Sequence, residues 1–301
     1  MPIKSINDVL NAIDAGQSRI SSFRKAPTQT TAQGIWFDLS MSPGNPVPNY
    51  YAAAPGNWKS LTFSEAEVAP KGGDGGLFHG ASLGTGYTKY LKSIMVSGMA
   101  VTTTLPLSMI LCDYIGYYPF IEMDSTTTLG TTTLTRYTDG AGLQIMPVEV
   151  AAQATGGAQF YCTYTNSSDI GGRTTGTAIC NTQTVNGTII NSQSAPIAGF
   201  PSGPFMTLQA GDTGVKSIDT VVFTGSDIGL VTFVLVKPLA TIALDAIASA
   251  IYSPMERDFA AMNAGNMPVI VDDAYLNFIC LPTGTLSGGQ IYGTIETIWS
   301  A

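Results

Sequence analysis

The stretch from Leu107 to Asp139, LSMILCDYIGYYPFIEMDSTTTLGTTTLTRYTD, constrains the fold more than any other part of the chain. Ile110, Leu111, Tyr114, Ile115, Tyr117, Tyr118, Phe120 and Ile121 form an apolar, aromatic run, and a threonine-rich segment follows. β-Branched and aromatic side chains suit a pleated, half-buried surface. The run is therefore expected to lie in the packed middle of a β domain. The threonine segment is expected to be a strand pair closing on the turn Asp139-Gly140. Nothing in the stretch has the pattern of a reaction centre.

The rest of the chain supports a mainly β fold. Segments 143–152, 159–165, 173–180, 215–224, 229–237, 274–281 and 290–299 carry strand-like patterns separated by Gly, Asn, Ser and Pro. Short strands at such spacing point to a β-sandwich or jelly roll. Val231 to Val236 is apolar almost without a break, as in a strand buried on both faces, and Pro238 is expected to stop it. Leu239, Ile242, Ala243, Ala246, Ile247 and Ala250 then recur at helical spacing, so a helix is expected near 239–251. The segment from Asn181 to Gly203 reads as a polar surface loop.

At the N-terminus, Ser5 and Asp8 form a weak capping box, and Ile6, Val9, Leu10 and Ile13 make one apolar stripe. Gly16 is a plausible stop, with Ile20 and Phe23 in a further turn, so residues 1–25 are assigned to an N-terminal helix. So short a helix must dock on its own domain or on a neighbour. Residues 26–86 are rich in Pro and Gly, with Trp36, Phe37, Tyr50, Tyr51, Trp58 and Phe63 interleaved. Flexible linkers lack such anchors. This segment is read as an extended arm whose rings are interface candidates, leaving 87–301 as the β-sandwich or jelly-roll domain.

Charged residues are only 11% of the chain, against about a quarter in an average protein. A surface with so few charges invites precipitation unless partners cover it. The net charge is −8 and no Lys/Arg run occurs, so nucleic acid is not an expected partner. No apolar run reaches transmembrane length, and the N-terminus lacks the apolar region of a signal peptide, so no membrane partner is expected. Cys112, Cys162, Cys180 and Cys280 include no CxxC and no Cys/His cluster, which argues against zinc. A hairpin near Ser168 to Gly172 would not set Cys162 opposite Cys180, so no disulfide is expected, and synthesis in a reducing cytosol fits.

Candidate chemistry is sparse. The single histidine, His79, sits in a glycine-rich loop, where a solvated role outweighs a catalytic one. The run Gly72 to Gly76 lacks a P-loop pattern. Asp113, Glu122 and Asp124, or the pair Asp272-Asp273, contain carboxylates of the kind glycosidases or calcium sites use, but no DxDxDG loop is present and solvation at loops and strand ends is the expected role. Tyr114, Tyr117, Tyr118 and Trp299 are the aromatics a sugar groove would need, though core packing is their commoner role. No catalytic residue, cofactor or metal site is assigned, and no enzyme is expected.

Five strings carry a resemblance: CDYIGYYPFIEMDS at 112–125, TLTRYTDGAGLQIMPV at 133–148, LQAGDTGVKSIDTVVF at 208–223, VLVKPLAT at 234–241 and DDAYLNFICLPTGTLSGGQIYGTIETIW at 272–299. With them the chain resembles tailed-bacteriophage virion structural proteins of the head-associated, decoration type. The resemblance implies a virion component assembled in the host cytoplasm and no catalytic role. It makes a capsid decoration or cement protein the expected function. The expected partners are the chain itself, as a homo-oligomer such as a trimer, and the major capsid protein or other virion proteins. A tail, collar or fibre-adaptor subunit is the alternative within that class, and a carbohydrate-binding module the rival outside it. With the segment 26–86 as the contact arm, removing residues 1–60 is expected to leave a folded β domain that no longer incorporates into particles.

Overall fold

A computed structural model describes residues 2–63, 76–80, 82–99, 107–153, 156–225, 228–244, 246–248, 251–252 and 254–300. Most of the Gly72 to Gly76 run and the end of the Tyr87 to Leu105 segment lie outside the described residues.

Helix α1 (Ile6–Asp14) starts where Ser5 accepts from the Asp8 backbone while the Asp8 carboxylate caps the Ser5 N–H in return. It ends at Gly16, whose φ of 71° suits glycine, and whose N–H reaches the Ile13 carbonyl. The expected second turn does not form. Ile20 and Phe23 lie in strand β1 (Ser18–Lys25), where alternate side chains are buried.

The other long strands are β2 (Thr88–Met99), β3 (Leu107–Glu122), β4 (Gln144–Ala151), β5 (Gln159–Asn166), β6 (Val215–Thr224), β7 (Leu230–Leu244), β8 (Leu276–Pro282) and β9 (Gln290–Ser300). They pair antiparallel in three sheets. The first runs Met255–Asp258, β2, β9, β1, Gly44–Asn45. The central sheet runs Phe37–Asp38, β8, β3, β7, β4. The third runs Arg173–Thr174, β5, β6, Thr126–Thr128. The molecule is thus mainly β and sandwich-like.

The central pair β3 and β7, 16 and 15 residues long, serves both flanking sheets. Leu107, Met109 and Leu111 of β3 enter the core shared with the first sheet. Ile115, Tyr118 and Ile121 enter the core shared with the third. Strand β7 does the same with Ala240, Ile242 and Leu244 at one end and Val231, Phe233 and Leu235 at the other. Odd positions at one end and even positions at the other can share a face only if one residue is inserted. The register shift between Pro238 and Ala240 supplies it. Proline lacks an N–H and is tolerated at a bulge, so Pro238 interrupts the pairing without ending the strand. Among the described residues the expected helix at 239–251 is accordingly absent. Residues to Leu244 continue β7, and Ala246–Ala248 pairs with Ile251–Tyr252. A short helix α2 (Phe259–Asn263) follows instead.

The threonine segment also differs from expectation. Only Thr126–Thr128 is a strand, and it pairs with β6 rather than with its own continuation. The turn at Gly140 is present, closed by its N–H to the Tyr137 carbonyl.

The division into helix, arm and domain is corrected by packing. Strand β1 sits inside the first sheet, beside β9 over its whole length. The arm covers the other face of the central sheet: Met41, Tyr51 and Leu61 pack with Cys112, Tyr114, Tyr117, Val234 and Val236. Gly116 permits this approach, because a Cβ there would lie 2.4 Å from the Trp58 ring and 2.6 Å from the Lys59 carbonyl. The 181–203 loop is likewise partly interior: Ile189 and Ile190 are buried, the Glu149 N–H donates to the Thr188 carbonyl, and the Gly187 N–H donates to the Glu149 carbonyl. All four cysteines are buried and unbridged.

Candidate functional site

Two of the polar side chains that sequence made candidates, Asp113 and His79, are interior and already engaged. Asp113 lies on β3 between Leu111 and Ile115, where the two flanking cores meet. Arg136 donates to it through Nε at 2.8 Å and through Nη2, and also donates to the Leu61 and Tyr114 carbonyls. The Tyr275 N–H completes the shell of Asp113. Arg136 thereby ties the arm, β3 and the start of β8 together. Nothing in the sequence near Arg136 marks it, since its partner lies 23 residues away.

A second buried knot centres on Asp38, which accepts from the Ser40 N–H and hydroxyl and from the Tyr51 and Tyr114 hydroxyls. Burial and the nearby Asp38 charge push both tyrosines well above the usual phenol range. Lys25, also buried, donates to the Ser42 and Pro46 carbonyls at 3.1 and 2.8 Å. Burial lowers its pKa to about 7.

His79 is not a solvated loop residue. It is buried, with Nε2 2.9 Å from the Ala274 carbonyl and Nδ1 3.3 Å from Lys89 Nζ. Lys89 donates to Nδ1, so the proton resides on Nε2 and is given to the carbonyl. Lys89 in turn pairs with Asp272 at 3.2 Å, and Asp272 accepts from Ser82 and Leu83. Burial first, and the Lys89 charge second, lower the His79 pKa to about 3. The imidazole therefore joins loop to sheet, and both its nitrogens are occupied.

The carboxylate and aromatic sets are dispersed. Glu122 and Asp124 are exposed beside a shallow depression, while Asp113 is interior. Asp272 pairs with Lys89, and Asp273 lies 4.0 Å from Arg136. Tyr114 and Tyr117 face the arm, and Tyr118 the third sheet. Trp299 is half-buried on β9 in the first sheet, so the four aromatics do not gather on one open face. Among the described residues no group of three or more His, Cys, Asp or Glu could hold a metal ion. Among the described residues no helix is long and apolar enough to cross a membrane.

Of the interface candidates, Phe37 and Tyr51 are fully interior. Trp36, Trp58 and Phe63 are half-buried on the same chain, with Trp58 against Tyr118 and Phe63 against His79. Only Tyr50 is exposed. Exposed large apolar side chains also occur outside the arm: on Ile6, Leu10 and Ile13 of α1, on Met262 of α2, on Ile20 and Tyr292 of the first sheet, and singly at loop positions such as Ile170 and Ile228. An open cleft of about 540 Å³ is lined by Thr128, Thr131, Thr132, Thr165, Ser217 and Asp219 among others.

No family model and no curated protein matches the chain. Among solved structures, a chain titled "Structure of infectious bursal disease virus Gx strain" aligns over 94% of this chain and 79% of its own, with 10% identity and a TM-score of 0.17. That score is too low to indicate a shared fold.

Proposed function

We propose that the chain is a non-enzymatic structural subunit of a tailed-phage virion, most simply a capsid-associated decoration or cement protein working as a homo-oligomer. The observation that carries this reading is the distribution of polar and apolar groups. The candidate catalytic groups Asp113 and His79 are spent on internal ties, while large apolar side chains on α1 and the first sheet stay uncovered. Uncovered apolar surface on a chain with few charges suits burial against neighbours. The resemblance of the five strings at 112–125, 133–148, 208–223, 234–241 and 272–299 to tailed-phage virion proteins points the same way. The contact surface is moved from the arm, which lies on its own sheet, to the exposed residues around it.

The test is native mass measurement and negative-stain imaging of the purified chain, alone and mixed with phage heads stripped of it. Regular binding over the head lattice is expected. Binding at one vertex only, or assembly into rings or tubes, would replace the capsid role with a neck or tail role. No binding to heads or tails would remove the virion reading altogether.

A further inference from the structure

The apolar arc of α1 is wider than the domain covers. At about 100° per residue, Val9 and Ala12 fall on one side of the helix and Ile6, Leu10 and Ile13 on the adjoining side. Val9 and Ala12 are buried in the core beside α2. Ile6, Leu10 and Ile13 remain 52%, 53% and 37% exposed. They stand at i, i+4 and i+7, which makes a straight ridge along the helix. Single exposed apolar residues need no explanation, but a ridge of three on one helix face does.

We infer that this ridge is a self-association surface, on which α1 packs antiparallel against α1 of a second copy about a two-fold axis. The charges flanking the ridge favour that occupant and that direction. Lys4 precedes the helix and Asp14 ends it, and both are exposed. When Leu10 meets Leu10 of the second copy, Ile6 meets Ile13, and Lys4 of each copy reaches Asp14 of the other. A parallel arrangement would set Lys4 beside Lys4 and Asp14 beside Asp14. Antiparallel packing also opposes the two helix dipoles. Asp8, the remaining acid of the helix, is occupied by its cap and does not compete for Lys4. One helix-on-helix contact is small beside a standard interface, so the free dimer is weak, with a dissociation constant on the order of 100 micromolar. This inference gives the homo-oligomer of the proposed function its contact and rests on that part of the reading, not on the capsid role, since the chain can pair through α1 whatever particle it serves.

Sedimentation equilibrium of the full chain over a wide concentration range tests it. A monomer–dimer equilibrium is expected. Lys4→Glu and Asp14→Lys should each weaken it about tenfold, and the double variant should restore it, because two symmetric ion pairs are first inverted and then rebuilt. Both substitutions place charge favourably for the helix dipole, so lost pairing cannot be ascribed to a lost helix. Leu10→Cys should form an oxidised dimer and Asn11→Cys should not; the native cysteines are buried and give no background. A chain that stays monomeric throughout overturns the inference. So does a dimer indifferent to the charge variants, or one that crosslinks equally through both cysteine variants.

Discussion

Arg136 and Asp113 show how a single residue can join distant parts of this fold. The pair is buried where the two flanking cores meet, and its hydrogen bonds reach the arm and β8. A buried ion pair adds little net stability over an apolar pair, but removing one partner strands the other. Arg136→Met is therefore expected to cost about 3–5 kcal/mol, read as a lower urea midpoint. The double variant Arg136→Met with Asp113→Leu should recover much of that loss; equal or additive losses would show that the pair matters through packing alone. His79 gives a second expectation at this scale. Its folded pKa, about 3, lies below the unfolded value of 6.5, so between those limits the unfolded chain binds the extra proton. The stability this site contributes is complete above pH 6.5 and is lost as pH falls toward 3, at up to about 1.4 kcal/mol per pH unit. Urea titrations at pH 7, 5.5 and 4 should show a shallower decline in His79→Gln than in the native chain. Equal slopes would mean that the imidazole is not held neutral. Sequence placed Asp113 and His79 on its short list but gave both the wrong surroundings, because burial and partners 23 and 195 residues away are set by the fold.

Among elements, strands rich in β-branched residues and bounded by turn residues were legible: 215–224 matches β6 residue for residue despite two irregularities in its pairing with β5, and 290–299 is nearly β9. Strand β7 was not, for a definite reason. Its bulge at Pro238 shifts the phase of the apolar pattern, and the residues beyond it, spaced as Leu239, Ile242 and Ala243, imitate a helical turn. The threonine segment misled in the opposite way. Its β propensity is high, yet β6 was the available pairing edge, and only three residues reached it. Docking of the arm on β3 rests on Gly116 in a way that sequence alone could not disclose. Gly116→Ala places a methyl group against the Trp58 ring and the Lys59 carbonyl, and the second of these is backbone that cannot rotate aside. The expected loss is about 1–3 kcal/mol. Amide hydrogen exchange should quicken across residues 54–61 while β6 keeps its protection. Unchanged exchange in 54–61 would mean that the arm does not depend on this close approach.

At the scale of the whole molecule, the chain does not divide into an arm and an independent domain. The central sheet has two faces to bury, and the flanking sheets cover one of them. Residues of the arm, with Ile189, cover the other. Removing residues 1–60 would strip Tyr51 and Met41 from that second face. It would also remove β1, exposing the long edge of β9 and taking Phe23 from the core beside Phe278. An uncovered central sheet with an open edge favours aggregation. The fragment 61–301 is therefore expected to lose near-ultraviolet circular dichroism and to bind a hydrophobic dye, whereas the fragment 17–301, which lacks α1 but keeps β1 and the arm, should retain a cooperative thermal transition. The contrast separates two roles of the N-terminal region, since α1 contributes Val9 and Ala12 to one end of a core, while β1 and the arm close two surfaces of the sandwich. If 61–301 unfolded as cooperatively as the full chain, the arm would be an appendage after all, and its rings would again be free to serve a neighbour in the particle.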